Sequence, residues 1–432
     1  MDKTTIERVR KDIINCGTPH IHFNAAGDSP MPKVVLQKYQ EVLNREAVVG
    51  GYVTASEYRE NFENTRSLAA KLINAQSHEI ALVDSATTAW MRAFYCVKLK
   101  AGDVILTSQT EYAGNYVAML QHTKRHGASI RCLAIDNNGI IDIPKLKQLI
   151  SEISSDKIKA ICITHIPTNG GVINPVKKIG DIASKHGILY ILDSCQGVGQ
   201  LVIDVQSINC DFLAATGRKF LRGPRGTGFL FASTKVMQEM MNENSTNRLQ
   251  EPPSLDHYAA PILKTESGEL SYCMSLSARR FEQWESNFAG LVALGIAIEY
   301  ALQLGMNNIE NRIMYLSKTL REKLSSSIPS LSIMDMGTGD GDQSGIVTFV
   351  IDGISPIRCK QYLQNKHMIY IHTTSKLSSP IDGIQRVLPE NGMVRVSVSY
   401  FNTVDELEKL VRAIQSFLKE IEEEMMEFYG TR

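Results

Sequence analysis

The chain has 432 residues, of which 43% are hydrophobic and 21% are charged, a length and composition typical of a two-domain globular protein. Its 46 basic and 46 acidic residues cancel, so charge gives no reason to expect nucleic acid or an anionic membrane as a partner. No stretch resembles a signal peptide or a membrane span, and the eight cysteines are scattered without a CxxC pair. These features predict a cytoplasmic protein without a disulfide framework or a metal site.

Residues 67 to 231 alternate short apolar runs with helical periodicity. This alternation predicts an α/β fold in which helices cover both faces of a mostly parallel sheet. The predicted strands are residues 104–107, 130–135, 160–164, 189–192, 212–215 and 228–231. The predicted helices between them are residues 116–126, 144–152 and 175–186.

The second half of the chain has a different order of elements. Residues 251–261 contain several prolines and are predicted to be irregular, and the glycine-rich residues 337–345 are predicted to form a mobile connecting loop. The predicted helices are residues 288–304, 309–325, 356–366 and 404–425, and the predicted strands are residues 346–351 and 394–399. This order indicates a smaller α+β domain.

Two reactive side chains follow neighbouring predicted strands. One apolar strand ends at Asp193, and the next runs into Thr216-Gly217-Arg218-Lys219. Ligands bind beyond the carboxyl ends of strands in open parallel sheets, so both side chains are expected at one site. A lysine that forms a Schiff base and a carboxylate that keeps a ring nitrogen protonated suit pyridoxal phosphate (PLP). A structural ion pair is the alternative that these residues leave open.

These motifs resemble those of a known family. Asp193-Ser194-Cys195-Gln196, followed by Thr216-Gly217-Arg218-Lys219, resembles the aspartate and lysine motifs of class V aminotransferase-fold enzymes, the superfamily of cysteine desulfurases. The longer string TGRKFLRGPRGTGFL at 216–230 resembles the branch of isopenicillin N epimerase-like proteins and hercynylcysteine sulfoxide lyases. The resemblance implies the PLP-dependent transferase fold type I. It also implies a large PLP-binding domain at 26–285, and a small domain at 286–432 to which residues 1–25 belong.

The resemblance implies a phosphate site and a ring-stacking residue. Ala86 and Thr87 fall in the family's phosphate-binding turn before a helix, although Thr87 could equally be the helix N-cap. Thr216 and Arg218 carry groups suited to the same phosphate. Tyr112 takes the place of the histidine that desulfurases stack on the cofactor ring.

Other residues are assigned to the cofactor's phenolic oxygen and to the substrate. Gln196 and either Thr168 or Asn169 would contact the phenolic oxygen, and His165 is an acid/base candidate or a structural histidine. The resemblance assigns the substrate to two further residues. They are Asn24 and Arg395, whose planar guanidinium would pair with the substrate α-carboxylate.

Two departures from the desulfurase pattern bear on the reaction. Residues 376–393 contain no cysteine, where desulfurases carry the nucleophile that takes up sulfur, and Cys195 is interpreted as structural. The run Arg280-Phe281-Glu282-Gln283-Trp284-Glu285 replaces a threonine-bearing motif and resembles the sulfoxide lyase branch.

The predicted activity is therefore a C–S lyase that acts on a cysteine derivative through a Cα carbanion, with Lys219 as base. The rivals are a racemase or epimerase, with Tyr112 or His165 as a second acid, and an aminotransferase. A decarboxylase and a PLP-binding protein without turnover are also open. The resemblance implies a homodimer with composite active sites, in which residues 49–52, read as a flexible segment, and residues 280–287 approach the partner subunit.

Overall fold

The computed structural model describes residues 1–13, 18–241, 248–335, 337–339, 341–385 and 389–430. Cys16 lies outside these ranges, and the other seven cysteines are free thiols. The helices are α1 Lys3–Lys11, α2 Lys33–Val49, α3 Gly51–Glu57, α4 Arg59–Leu72, α5 Ala86–Phe94, α6 Ala113–His126, α7 Ile143–Ile153, α8 Val176–Lys185, α9 Val205–Ile208, α10 Thr234–Met241, α11 Phe288–Leu304, α12 Met306–Ser327, α13 Pro356–His367, α14 Pro380–Gln385 and α15 Val404–Gly430. Short 3₁₀ turns lie at Ser77–Glu79, Ala278–Phe281 and Lys376–Ser378.

The strands form one large sheet and three small ones. They are β1 Ile21–His22, β2 Ile80–Val83, β3 Val104–Ser108, β4 Ser129–Leu133, β5 Ile158–Thr164, β6 Leu189–Asp193, β7 Phe212–Thr216, β8 Gly228–Ala232, β9 Ile262–Lys264, β10 Leu270–Tyr272, β11 Leu331–Ile333, β12 Ile346–Ile351, β13 Ile369–Tyr370, β14 His372–Thr374 and β15 Met393–Ser397. The large sheet has the order β2-β8-β7-β6-β5-β3-β4. Only β8 in it runs antiparallel to its neighbours, which confirms the predicted mostly parallel sheet.

Helices cover both faces of the large sheet, as the sequence predicts. Alternate residues of its strands enter two separate hydrophobic clusters because successive side chains of a strand point to opposite faces. On β6, Tyr190 and Leu192 join the cluster that contains residues of α7 and α8. Ile191 joins the cluster that contains residues of α5 and α6. Both faces are largely covered by apolar side chains, and several buried polar groups lie at the strand ends.

The C-terminal part of the chain forms an antiparallel sheet in the order β11-β12-β15-β14. The N-terminal segment joins this part, because β1 pairs in parallel with β13. Asn24 also forms a bridge with Ser397 at the end of β15. These pairings support placing residues 1–25 with the small domain, and the domain boundaries themselves stay a prediction.

Two predicted irregular segments are more ordered than expected. The flexible segment predicted at residues 49–52 is a junction of two helices, because α2 runs through Val49 and α3 begins at Gly51. Gly50, with φ of +83°, makes the turn between them. The glycine-rich segment at 337–345 is held at one of its described residues, because the Ile173 N–H donates to the Asp342 carbonyl at 2.7 Å.

Among the described residues no single helix is long and apolar enough to cross a membrane. The pair α11 and α12 satisfies the criteria of length and composition only jointly, and these helices meet at an angle of 79°.

Gly199 allows the segment after β6 to pack against the segment after β7. Its φ is +92°, and a Cβ atom there would lie 2.4 Å from the Leu221 backbone nitrogen. Gly187 also has a positive φ, +64°, but an added Cβ would meet nothing within 4 Å. Alanine substitutions at the two glycines therefore distinguish the free-energy cost of a positive φ from the cost of a steric clash.

We expect Gly187→Ala to lower the free energy of unfolding by about 1 to 2 kcal/mol, the cost of a left-handed alanine. Gly199→Ala should cost about 1 to 3 kcal/mol more, because backbone atoms must shift to admit the methyl group. Urea unfolding followed by circular dichroism measures both. Equal losses in the two variants would contradict the close packing described for Gly199.

Candidate active site

The carboxyl ends of β5, β6 and β7 meet at one edge of the large sheet. Asp193, the last residue of β6, is in register with Thr164 on β5 and with Ala214 on β7. Thr216 ends β7, and Lys219 follows it after two residues. The sheet therefore brings Asp193 and Lys219 to neighbouring strand ends, as expected from the sequence.

Asp193 is buried and its carboxylate is held by two donors. Its Oδ1 accepts the Cys195 backbone N–H at 2.9 Å, and its Oδ2 accepts the Asn115 side-chain amide at 2.7 Å. A carboxylate held in this way has a fixed direction, and burial makes its charge effective over a longer range than in water. It can therefore act as an oriented negative charge toward a bound cofactor.

Lys219 contacts Cys195, the residue whose backbone N–H binds Asp193. Its Nζ lies 3.2 Å from the Cys195 sulfur and is half-buried. Cys195 thus contacts Asp193 through its backbone and Lys219 through its side chain. Burial raises the pKa of the Cys195 thiol, and the nearby Lys219 charge opposes this rise. The thiol is consequently protonated at neutral pH and is a poor nucleophile.

The anion site predicted from the sequence lies at the start of α5. Ser85 is the N-cap, because its hydroxyl accepts the Thr88 N–H at 3.1 Å, so the alternative that Thr87 caps the helix is wrong. Ala86 and Thr87 are the first two helical residues, whose N–H groups point out of a helix N-terminus. A Cβ on Gly228 would lie 3.3 Å from the Ala86 nitrogen, which shows how closely this helix start approaches the first residue of β8, the partner of Thr216 at the end of β7.

Arg395 is a buried cation that faces neutral side chains. Its Nη1 donates to Thr168 Oγ1 at 2.5 Å and its Nη2 donates to Asn24 Oδ1 at 3.3 Å, while its Nε has no hydrogen-bond partner in the described structure. Burial, and then the charge of Arg218, lower its pKa to about 10. A guanidinium buried without a carboxylate is costly, so this site is suited to an anionic ligand.

Thr168 and Asn169 point to different neighbours. Thr168 contacts Arg395, whereas Asn169 is buried and donates from its amide nitrogen to the Ser375 carbonyl at 3.1 Å. The Asn169 side-chain oxygen has no partner among the described residues. The structure thus joins Thr168 to Arg395, and it leaves open which of the two residues would contact the cofactor.

Three further predicted residues lie near these side chains. The Gln196 amide nitrogen donates to the Ala26 carbonyl at 3.0 Å, and its side-chain oxygen has no partner in the described ranges. Arg218 donates to the Gly27 carbonyl, next to the turn that contacts Arg395. Tyr112 precedes α6 and is 43% exposed, so its ring is accessible for stacking.

The buried polar atoms fit the predicted cofactor. A half-buried amine, an oriented carboxylate and an open helix N-terminus match the aldehyde, ring nitrogen and phosphate of PLP. The unpartnered oxygens of Gln196 and Asn169 show that the cleft has polar atoms that the described protein does not satisfy. The roles assigned to these residues stay predictions.

His165 is buried and contacts Ser194 and the backbone of Asp193. Its Nδ1 lies 3.1 Å from Ser194 Oγ, and its backbone N–H donates to the Asp193 carbonyl at 2.8 Å. Burial lowers the pKa of the imidazole to about 4, so the ring is neutral at physiological pH. These contacts favour the structural interpretation of His165 over the acid/base one.

Sequence reasoning assigned no role to Glu111 or Asn115. Both are buried, and the Asn115 amide donates to Glu111 Oε1 at 2.8 Å and to Asp193 Oδ2 at 2.7 Å. The available signal was an acidic residue shortly after an apolar strand, with an amide four residues later near the start of a helix. In the structure Glu111 lies between β3 and α6 and Asn115 lies in the first turn of α6, so both side chains lie beside the strand ends.

The comparisons with known proteins agree with this geometry. The Aminotransferase class-V family model matches residues 21–410. A probable cysteine desulfurase from Synechocystis is 28% identical over 410 residues, which cover 93% of this chain and 92% of that protein. These matches confirm the resemblance inferred from the sequence motifs.

Two solved structures share the fold. The apo cysteine desulfurase of Thermococcus onnurineus superimposes with a TM-score of 0.83 at 22% identity, over 96% of this chain and 98% of that one. The cystine C–S lyase C-DES, in complex with cysteine persulfide, superimposes with a TM-score of 0.76 at 19% identity, over 90% and 96%. At these identities the likeness establishes the fold, which confirms the predicted fold type I.

The low pKa of His165 predicts a pH-dependent contribution to stability. The unfolded imidazole binds a proton near its ordinary pKa of 6.5 and the folded one near 4, so the unfolded state binds more protons between these values. Stability from this group is therefore present above pH 6.5 and is lost as the pH falls toward 4. We expect the difference in unfolding free energy between wild type and His165→Asn to shrink over this range.

Urea unfolding at several pH values, with His78→Asn as a control at an exposed histidine, tests this prediction. A difference that stays constant from pH 7 to pH 4 would show that His165 titrates normally.

Proposed function

Because this chain belongs to the class-V aminotransferase family, we propose that it is a PLP-dependent lyase that cleaves a C–S bond of a cysteine derivative. Its cofactor is pyridoxal phosphate. The observation that carries the proposal is the contact of Asp193 and Lys219 with one residue, Cys195, in a cleft that also holds the unpaired cation of Arg395.

PLP supplies, when bound, an electron-withdrawing ring that weakens the Cα–H bond of an attached amino acid. Lys219 would hold the cofactor and would be the base placed beside the substrate Cα. Asp193 would hold a proton on the ring nitrogen, and the N–H groups of Ala86 and Thr87 would bind the phosphate. Arg395 and Asn24 bind the substrate carboxylate and thereby fix which bond at Cα lies next to Lys219.

The chain's thiols favour elimination over sulfur transfer to the protein. Residues 376–393 contain no cysteine. Cys359 lies in α13, fully buried, and burial raises its pKa to about 12. The Cys195 thiol is protonated because burial raises its pKa. A sulfur leaving group would therefore depart into solution, and the relatives named cysteine desulfurases support C–S chemistry at Cβ rather than transamination.

We predict that the wild-type protein converts a cysteine S-conjugate or cysteine sulfoxide to pyruvate and ammonia. A panel of amino acids in deuterium oxide, analysed by mass spectrometry, measures both the products and deuterium at Cα. Lys219→Ala should lose about a thousandfold in rate, because the base is missing. Lys178→Ala, at an exposed lysine of α8, is the control for loss of a lysine elsewhere.

Other products would point to the rival reactions. Recovery of the amino acid with deuterium and inverted configuration, without pyruvate, would indicate a racemase. A 2-oxo acid formed without loss of the side chain would indicate an aminotransferase. A Lys219→Ala protein as active as wild type would contradict the whole assignment.

We also propose a homodimer with composite active sites. The exposed rings of Tyr52 and Trp284 lie 6.1 Å apart, so the two segments predicted to face the partner meet on one surface. Arg280 is wholly buried, and Glu282 forms an internal ion pair with Arg66, so the exposed part of the second segment begins after them. The Arg92 side chain of α5 donates to the Phe281 carbonyl and links this surface to the predicted phosphate site.

An exposed hairpin formed by β9 and β10 supports the proposed association of two subunits. All residues of β9 and β10 are exposed, and Ile262 and Leu270 are 70% and 79% exposed. Apolar strands open on both faces are unusual in a monomer and suit contact with a partner of complementary surface.

A cytoplasmic location stays a prediction from the free cysteines.

Composite sites predict complementation between inactive subunits. We expect mixtures of Lys219→Ala and Trp284→Ala proteins, unfolded and refolded together, to regain activity that neither variant has alone. In mixed dimers one site would receive intact residues from both chains. Sedimentation velocity provides the assembly state. A fully active monomer, or no gain from mixing, would exclude shared sites.

A further inference from the structure

A second carboxylate lies behind Asp193 and is buried with it. Glu111 lies between β3 and α6 and is 1% exposed. Its Oε2 accepts the Thr164 backbone N–H at 3.1 Å, and its Oε1 accepts the Thr164 hydroxyl at 2.5 Å and the Tyr112 N–H at 3.0 Å. The side chain is therefore held rigidly between the ends of two neighbouring strands.

One amide joins the two carboxylates. The Asn115 nitrogen lies 2.8 Å from Glu111 Oε1 and 2.7 Å from Asp193 Oδ2. A primary amide has two N–H groups, so Asn115 donates one to each carboxylate and has none left. Any change in the position of Glu111 is consequently transmitted to the Asp193 oxygen that Asn115 holds.

We propose that Glu111 is a positioning residue for the proposed reaction: through Asn115 it fixes the direction and the electrostatic environment of the Asp193 carboxylate that faces the cofactor ring. The proposal rests on the proposed role of Asp193. It adds a buried carboxylate that does not itself touch substrate or cofactor.

The electrostatics agree with the geometry. Burial, and then the charge of Asp193, raise the pKa of Glu111 to about 7. The groups on adjacent strands that sense the Glu111 charge are the thiols of Cys132 and Cys162, whose pKa values are raised first by burial and second by Glu111. Asp193 is thus the charged group to which Glu111 is coupled most directly.

A purely structural role would stabilise the same strand ends without affecting the cofactor. The variants must therefore be compared by the absorption spectrum of the bound cofactor as well as by rate. Glu111→Gln keeps the shape and removes the charge, and Asn115→Leu removes the link. Asp211→Asn is the matched control, because Asp211 is a buried carboxylate that accepts the Tyr190 N–H at 2.9 Å, beyond the amino-terminal end of β7.

We expect the pH at which the visible spectrum of the bound cofactor changes to fall by about one unit in Glu111→Gln, since a nearby negative charge is lost. Exchange of the Cα proton should slow about tenfold with KM unchanged, because one pKa unit corresponds to a factor of ten. Asn115→Leu should slow the exchange to a similar extent, because Asp193 loses the donor that orients it, and the double variant should show no further loss of rate. Asp211→Asn should retain the wild-type spectrum.

A wild-type spectrum in a folded Glu111→Gln holoenzyme, or effects of Glu111→Gln and Asn115→Leu that add in full, would overturn the proposal. So would a wild-type protein that binds no PLP. The proposed lyase activity is tested independently. If no amino acid of the panel gave a product but Glu111→Gln still shifted the spectrum as expected, the lyase reaction would be rejected and the coupling of Glu111 to Asp193 would stand.

Discussion

The in-register pairing of β5, β6 and β7 is the constraint on which the rest of the site depends. Because these strands are parallel and adjacent, Thr164, Asp193 and the residues after β7 lie side by side at one edge. Both faces of the sheet are largely apolar, and this edge holds the polar side chains that form the proposed site. A one-residue slip of β6 would turn Asp193 toward a hydrophobic face, which makes the register itself a requirement for function.

The other half of the cleft comes from segments that are distant in sequence. Arg395 lies on β15, and its two hydrogen-bonding neighbours, Asn24 and Thr168, lie 371 and 227 residues away. The bridge between Asn24 and Ser397 fixes the N-terminal segment beside β15. The proposed substrate site therefore depends on the packing of the N-terminal segment against the C-terminal sheet.

Charges in the cleft are separated by position. Lys219 and Arg395 form no ion pair among the described residues, and Arg218 adds positive charge near Arg395, whereas Asp193 and Glu111 share the Asn115 amide. This separation leaves the cations available to an anionic ligand. It also concentrates negative charge at Asp193, where its proposed role requires it.

The sequence by itself determined the α/β order, most strand positions and the pair Asp193 and Lys219, because apolar runs and the residues that end them are local signals. It also predicted Arg395, through its motif. The role of Glu111 and Asn115, the contact of Cys195 with Lys219 and the order of residues 49–52 were decided by the tertiary structure. Hydrogen bonds between strand ends, and the pKa shifts that burial causes, depend on distances between segments that no local pattern encodes.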